Sequence, residues 1–286
     1  MKELDIFRRI GRRLFENMPE VLRQFSSGEF IKIGASGDRT YPVDQKAEEI
    51  IIDELDSLYR GGERFTLVSE EYGFKDYGDR VRKILVDPVD GSNNARTGIP
   101  YYSTSIAFVE GEHLENTRAG YIINLVNGDE FWAIKGEGAY MSKIPFPDEK
   151  RIRTSGDSEI GIILYEAASP SRDIVRIIPL IKRSNRTRCL GSTALDFSYL
   201  AKGSYSLLII PFPSRSFDYA AGWVILKEAG GVTTDLDGND IGKTLVGVER
   251  TVSILASANR EIHKKAIEIV RREFDRKGPL AHRTAR

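Results

Sequence analysis

The segment Asp87-Pro88-Val89-Asp90-Gly91-Ser92-Asn93-Asn94 constrains this chain more than any other. It follows an apolar run, Ile84-Leu85-Val86, that reads as a strand entering a core. Pro88 fixes φ between two carboxylates three residues apart. Beside a strand end, that spacing lets both carboxylates and the Val89 carbonyl face one point. Oxygen-rich clusters of this kind suit hard divalent cations. Gly91 lets the backbone approach a ligand closely. Ser92 and Asn93 are good helix N-caps, and free N–H groups at a helix start bind phosphate. The competing account is a tight Asp/Gly turn with a helix cap and no chemistry.

Length and composition bound the rest. A chain of 286 residues, 41% of them hydrophobic, has room for one large domain or two packed halves. Forty-two basic and 42 acidic residues cancel, which argues against a general polyanion-binding role, leaving a local basic pocket open. The one cysteine, Cys189, admits no intrachain disulfide, so a reducing compartment is the default, and a small core residue is the expectation for it. The charged stretch Met1-Lys2-Glu3-Leu4-Asp5 lacks an apolar leader, and no apolar run approaches the roughly 20 residues of a membrane span. A cytoplasmic protein without membrane or nucleic-acid partners is expected.

The first helical stripe is Leu4, Phe7, Ile10, Leu14, Phe15 and Met18, with charged residues between them, and Pro19 need not end it. A glycine-rich polar loop over 33–40 precedes Asp44, whose simplest role is the N-cap of a helix through Ile51 and Leu55. Residues 65–69 read as a strand ending at Glu70-Glu71. Strands follow over 101–109 and around the Asn127-Gly128 hairpin, and a turn at 135–140 closes an antiparallel sheet. The polar stretch 151–156 marks a boundary between residues 1–155, an α+β half with a large antiparallel sheet, and residues 156–286, an α/β half. In the second half a strand over 160–165 precedes Arg172, Arg186 and Arg188, basic residues flanking loops. Gly191-Ser192-Thr193-Ala194 opens an amphipathic helix, 204–210 is a buried strand, and Asp218 starts a helix that Gly230 can end. A strand over 252–256, a helix over 261–274 and a frayed polar tail over 276–286 complete the chain.

Asp87-Pro88-Val89-Asp90-Gly91-Ser92 resembles the DP(I/V/L)DG(T/S) signature of the inositol monophosphatase superfamily. Asp218-Tyr219-Ala220-Ala221-Gly222 through Glu228-Ala229-Gly230-Gly231 resembles its second signature, WDxAAGxxIxxEAGG, with Phe217 in place of the tryptophan. The likeness covers roughly residues 30 to 260, and it is closest to archaeal fructose-1,6-bisphosphatase/inositol-1-monophosphatase members, in which Ser-Gly-Asp-x-Thr also precedes an aspartate. It implies a layered α/β/α/β/α sandwich of the sugar phosphatase type, of class α+β, with the site between the two halves.

It also implies roles, residue by residue. Glu70, Asp87, the Val89 carbonyl, Asp90 and Asp218 would hold two or three Mg²⁺ ions, or Mn²⁺, with Glu71 in support. Without cations such carboxylates would repel one another. Asp44 and Ser92 would activate the attacking water, with Glu70 also in the catalytic set. The phosphate and the sugar or inositol would be met by Asp90, Gly91, Ser92 and Thr193, and by the cations Arg172, Arg188 and Arg215. The segment before Asp218 reads Pro211-Phe212-Pro213-Ser214-Arg215-Ser216. It lacks both the Asp-x-Arg-Pro of archaeal bisphosphatases and the glutamate that inositol phosphatases place on a ring hydroxyl. The implied activity is metal-dependent hydrolysis of fructose 1,6-bisphosphate and/or inositol monophosphate by a homodimer. A phosphatase for another small phosphate, of the nucleotide 3′-phosphate type, and a catalytically retired binding protein of the same fold remain the alternatives.

Overall fold

The apolar stripe of the first helix and the charge between its members decide how the N-terminal layer docks. α1 (Lys2–Phe25) runs through Pro19 without breaking. Its residues Phe7, Ile10 and Leu14 are wholly buried. On its flank, Arg8 Nη2 and Arg12 Nη2 each lie 3.4 Å from Glu130 Oε2, and Glu130 also accepts from the hydroxyls of Tyr121 (2.9 Å) and Ser142 (2.8 Å). That carboxylate is fully buried, and the two guanidiniums and two hydroxyls hold it below the usual carboxylate range despite the burial. The computed structural model describes residues 2–25, 29–35, 37, 39–146 and 148–277. Ser36 and Asp38 of the expected 33–40 loop, and residues 278–286 of the expected tail, lie outside them.

In chain order there follow β1 (Lys32–Ile33), β2 (Arg39–Thr40), α2 (Pro42–Arg60), β3 (Thr66–Ser69), β4 (Gly73–Asp76), β5 (Arg82–Asp90), α3 (Ser92–Thr97), β6 (Ser103–Glu110), β7 (Thr117–Asn124), β8 (Asp129–Ile134), β9 (Gly138–Lys143) and β10 (Lys150–Ile152). The strands from β3 to β10 form one eight-stranded sheet in the order β10-β9-β8-β7-β6-β5-β3-β4. It is antiparallel throughout except for the β3–β5 pair. The second half supplies β11 (Ile162–Tyr165), α4 (Pro170–Ile181), β12 (Arg186–Arg188), α5 (Thr193–Ala201), β13 (Leu207–Arg215), α6 (Ser216–Glu228), β14 (Val232–Thr234), β15 (Arg250–Ser257) and α7 (Arg260–Lys277). Its sheet has the order β12-β11-β13-β15-β14, with β11 parallel to both neighbours and β15 antiparallel to both of its own.

These pieces stack as the expected α/β/α/β/α sandwich. α1 and α2 cover one face of the large sheet, α5 and α6 fill the space between the sheets, and α4 and α7 cover the far side of the small one. Two hydrophobic clusters result. One lies under α1 and α2. The other runs from Val68, Leu85 and Ile122 on the inner face of the large sheet, through Phe197 and Ile225 in the middle helices, to Leu208 and Ile254 in the small sheet. The small residues of the second signature make the middle layer fit. A Cβ added at Gly120 of β7 would stand 2.7 Å from the Ala221 carbonyl oxygen and 2.7 Å from Val224, so helix and sheet meet nearly backbone to backbone.

Several local expectations are corrected. The turn at 135–140 does not close the sheet: β9 continues past it, and β10 adds an edge strand inside the polar stretch expected to be a boundary. Arg186 and Arg188 lie on the edge strand β12, whose three residues carry no apolar signal, rather than beside loops. Cys189 is exposed, because it sits just beyond that edge strand rather than in a core. α2 starts at Pro42, so Asp44 occupies its third residue instead of the N-cap; α6 starts at Ser216 and treats Asp218 the same way. In α3 the N-cap is Gly91, with φ of 91°, and Ser92 is the first helical residue. Among the described residues no helix is long and apolar enough to cross a membrane.

The close approach of β7 to α6 yields a direct test. Gly120→Val is expected to lower unfolding stability by about 3 kcal/mol, read from the urea midpoint at unchanged slope. An undiminished midpoint would contradict the packing described.

Candidate active site

Five carboxylates carried by two strand ends and two helix starts face one another between the halves. Glu70 is the residue directly after β3, its N–H donating to the Val86 carbonyl at 3.3 Å. Asp87 and Asp90 end β5, the neighbour of β3. The ladder to β6 slips by one residue between them: Asp87 pairs with Ser105 and Asp90 with Ser103. Pro88 cannot donate to a ladder, and its carbonyl instead accepts from Thr104 Oγ1 at 2.9 Å. Val89 is buried within this bulge.

Asp44 and Asp218 arrive from helices in the same way. Each sits at the third residue of its helix and accepts from the N–H that precedes the helix, Asp44 Oδ2 from Tyr41 at 3.0 Å and Asp218 Oδ2 from Arg215 at 3.3 Å. One oxygen satisfies an orphan backbone donor, which fixes the carboxylate and leaves the other oxygen for the site. Asp44 Oδ1 and Asp87 Oδ1 are both buried and accept no hydrogen bond.

Electrostatics shows how closely the groups interact. Removal from water pushes Glu70 well above the usual carboxylate range, and Asp218, Glu71 and Asp44 push it further while Arg215 opposes. Asp87 is raised well above its range by burial, then by Glu70, Asp90, Asp218 and Asp44. Asp218 is raised to about 7 by burial and by Asp90, against Arg215. Asp44 also reaches about 7, chiefly through burial, against the Tyr41 N–H and Arg96, with Glu71 and Glu48 adding to it. Arg215, only 5% exposed, is therefore a cation set among carboxylates.

Asp90 differs from the others because its oxygens are already engaged. Oδ2 accepts from Ser192 Oγ, from the Ala194 N–H at 2.8 Å and from Ser103 Oγ at 3.4 Å, and Oδ1 accepts from the Thr193 N–H at 3.3 Å. Burial raises it to about 6, and these donors hold it there. Asp90 thus bridges the halves, serving as the anion at the N-terminus of α5. Gly91 is pinned by the same contact: a Cβ on it would stand 2.8 Å from the Gly191 carbonyl oxygen.

The remaining expected residues lie around this group. Ser92 is partly buried at the start of α3, and Thr193 is partly buried at the start of α5. Glu71 accepts from Thr40 Oγ1, which ties it to the 33–40 loop. Arg172 is exposed, with Nε 3.2 Å from Asp173 Oδ1, and Arg188 is exposed, with Nη1 on the Thr187 carbonyl at 2.8 Å; both are held by their own sequence neighbours. Missed from the sequence are Ser103 and Asn94. Asn94 Nδ2 donates to the carbonyls of Tyr101 (2.8 Å) and Leu190 (2.7 Å). The doubled asparagine after Gly91-Ser92 was the available signal.

Among the described residues no three His, Cys, Asp or Glu side chains are disposed to hold one ion as they stand. The donor chemistry nonetheless suits one. The set is all oxygen, Asp87 Oδ1 is buried without a donor, and Glu70, Asp90 and Asp218 all disfavour the charge of Asp87. A hard divalent cation relieves that conflict.

The chain matches the model of the inositol monophosphatase family over residues 6–274. It is 33% identical over 285 residues to a fructose-1,6-bisphosphatase/inositol-1-monophosphatase of Methanothermobacter thermautotrophicus, covering 94% of this chain and 98% of that protein. It is 30% identical over 288 residues to a bifunctional NADP phosphatase/NAD kinase of Methanococcus maripaludis, covering 94% of this chain but 49% of that protein. The fold superposes on the crystal structure of the extragenic suppressor protein suhB from Bartonella henselae with a TM-score of 0.80 at 24% identity, covering 96% of this chain and 100% of that one.

Because burial and mutual repulsion raise the carboxylates above their unfolded values, the native state binds more protons than the unfolded chain. Its stability therefore falls as pH rises through the window between the ordinary carboxylate range and about 7. In chelator, Tm is expected to be higher at about pH 5 than at about pH 8, with a smaller difference in Asp87→Asn. A Tm that rises across this window would contradict the clustering.

Proposed function

The chain belongs to the inositol monophosphatase family and is a phosphoric monoester hydrolase of that family, and on this basis we propose that it hydrolyses fructose 1,6-bisphosphate and/or inositol monophosphate. Glu70, Asp87, the Val89 carbonyl, Asp90 and Asp218 would hold two or three Mg²⁺ ions, with Mn²⁺ a workable substitute. The reading is carried by the convergence of Glu70, Asp87 and Asp218 from separate elements, Glu70 raised by the charge of Asp218 and Asp87 by the charges of both, with Asp87 Oδ1 left without a donor. The bound cations would supply Lewis-acid polarisation of the phosphate and neutralise the charge that develops on it.

The protein's own groups do the rest. Asp44 is held by the Tyr41 N–H through one oxygen, which leaves Oδ1 to accept a proton from water or from the Ser92 hydroxyl. A carboxylate raised to about 7 is well matched to accept a proton near neutral pH. The N–H groups of Gly91 and Ser92 start α3 and present donors to a phosphate oxygen. Gly91 supports this by a positive φ and a close approach that no side chain permits. Thr193 lies on the facing wall, and Arg215 offsets the carboxylates from within. Arg172 and Arg188, exposed on the second half, are the cations available for a second phosphate. Residues 1–155 and 156–286 form the two walls of the site in this reading. Family resemblance supports a homodimer acting in carbohydrate metabolism, in the gluconeogenic direction. A balanced charge and a single cysteine support a cytoplasmic location without nucleic-acid or membrane partners.

Phosphate release from fructose 1,6-bisphosphate, inositol 1-phosphate and NADP, measured side by side with Mg²⁺ and with chelator, tests the reading and ranks the substrates. NADP is included because of the Methanococcus maripaludis relative. Release is expected only with Mg²⁺, and Asp87→Asn should abolish it; release that persists in chelator would overturn the metal assignment. Asp44→Asn and Ser92→Ala are each expected to lower kcat by about 100- to 10,000-fold while KM moves less. A wild-type kcat in both would remove these residues from the chemistry.

A further inference from the structure

A second pair of carboxyl groups lies under the turn that holds Asp90, and the proposed reaction does not use it. Glu166 directly follows β11, its N–H donating to the Ile209 carbonyl at 3.0 Å. Asp196 lies one turn into α5 and is fully buried. The two side chains are within hydrogen-bonding reach of each other. Glu166 Oε1 and Asp196 Oδ2 are both buried, and as carboxylate oxygens neither receives a donor. Two ionised carboxylates cannot share such a position, whereas a single proton between them satisfies both oxygens.

Further groups fix the pair. The Tyr101 hydroxyl donates to Asp196 Oδ1 at 2.7 Å, and Tyr101 stacks on Tyr199 with ring centres 6.3 Å apart. The Gly191 N–H donates to Glu166. Asp90 acts on the pair from β5, Glu166 and Asp196 act in turn on the Cys189 thiol, and Asp196 acts on Tyr205.

The pair thereby grips one side of a short turn. Glu166 takes the N–H of Gly191, and Asn94 holds the carbonyl of Leu190. The Gly191 carbonyl abuts Gly91, and Ser192, Thr193 and Ala194 supply the donors to Asp90. Moving the turn would move both the proposed phosphate cradle and a proposed cation ligand.

We propose that Glu166 and Asp196 are positioning residues: sharing one proton, they clamp the Leu190-Gly191-Ser192 turn and through it set the placement of Asp90 and Gly91. The consequence for catalysis rests on the phosphatase reading, whereas the clamp itself does not.

The test follows amide hydrogen exchange of residues 190–194 in the full chain, with α6 of the same molecule as internal reference. Glu166→Ala is expected to speed exchange in this segment by at least about tenfold relative to α6. Glu166→Gln should restore protection, because its amide oxygen accepts the Gly191 N–H and its NH₂ donates permanently to Asp196. If Glu166→Ala does not fold, Glu166→Asp serves instead. It keeps the charge, loses one methylene of reach, and should speed exchange in the same direction. In parallel, kcat/KM should fall by about tenfold or more in the Ala or Asp variant and recover in Gln. Wild-type exchange at 190–194 in the Ala or Asp variant, or a Gln variant no better protected than they are, would overturn the proposal. Exchange that responds as expected in a chain releasing no phosphate would keep the clamp and sink the phosphatase reading. Phosphate release with unaltered exchange would do the reverse.

Discussion

Gathering several carboxylates into one interior place is the constraint on which the rest of this structure depends. Each of Glu70, Asp87, Asp90 and Asp218 is made more difficult to ionise by burial, and Glu70, Asp87 and Asp218 also by the charge of others in the set. Such an arrangement is uphill for a folded chain unless something else fixes it. Here the backbone does so. Asp87 and Asp90 are locked into a bulged central strand. Asp44 and Asp218 each take the N–H ahead of their own helix. Asp90 takes the donors at the start of α5. The local folding of five elements therefore holds the charges together, and the carboxylates of Asp44, Asp90 and Asp218 also do a structural job by accepting backbone donors.

The same economy joins the two halves. The inner face of the large sheet and the small sheet share one hydrophobic cluster through α5 and α6, so the second signature is first of all a packing device. Gly222 lies against Phe197, and Ala221 lies against the backbone of β7 at Gly120. Asp218 lies in the first turn of the same helix, so the close packing that seats α6 also sets the depth at which its carboxylate meets Glu70 and Asp87. At the other seam Asp90 accepts from α5, and Asn94 holds the turn before that helix. Polar contacts and close packing thus align the two walls independently.

Buried carboxyl groups appear here in three settings. Glu130 is satisfied by two arginines and two hydroxyls and is held below the usual range, as befits a structural anchor for α1. The site carboxylates are held up, and Asp44 and Asp87 each keep a buried oxygen without a donor. Glu166 and Asp196 answer each other, with Glu166 raised to about 7 and Asp196 raised well above the usual carboxylate range, each mainly by burial. The type of residue is the same in all three; the neighbours decide whether it anchors, binds or positions.

The sequence by itself determined whatever depends on a few adjacent residues. The stripe of α1, the strand that delivers Asp87 and Asp90, the strand ending at Glu70, the Asn127-Gly128 hairpin, the αL glycine at Gly230 with φ of 100°, and the pairing of two signatures that points to the family were all legible. Side-chain period, glycine conformation and motif spacing are written locally. Beyond the carboxylates that the resemblance already grouped, only the tertiary structure decided which charges face one another. Nothing near Asp196 in the chain announces Glu166, and nothing near Arg215 announces that its charge is set among carboxylates. The exposure of Cys189, the edge strand carrying Arg188, and the placement of Asp44 and Asp218 at third helical positions rather than caps were likewise settled in the fold. Burial and electrostatic coupling depend on what packs across the gap, and those partners come from parts of the chain too far apart for any local pattern to register.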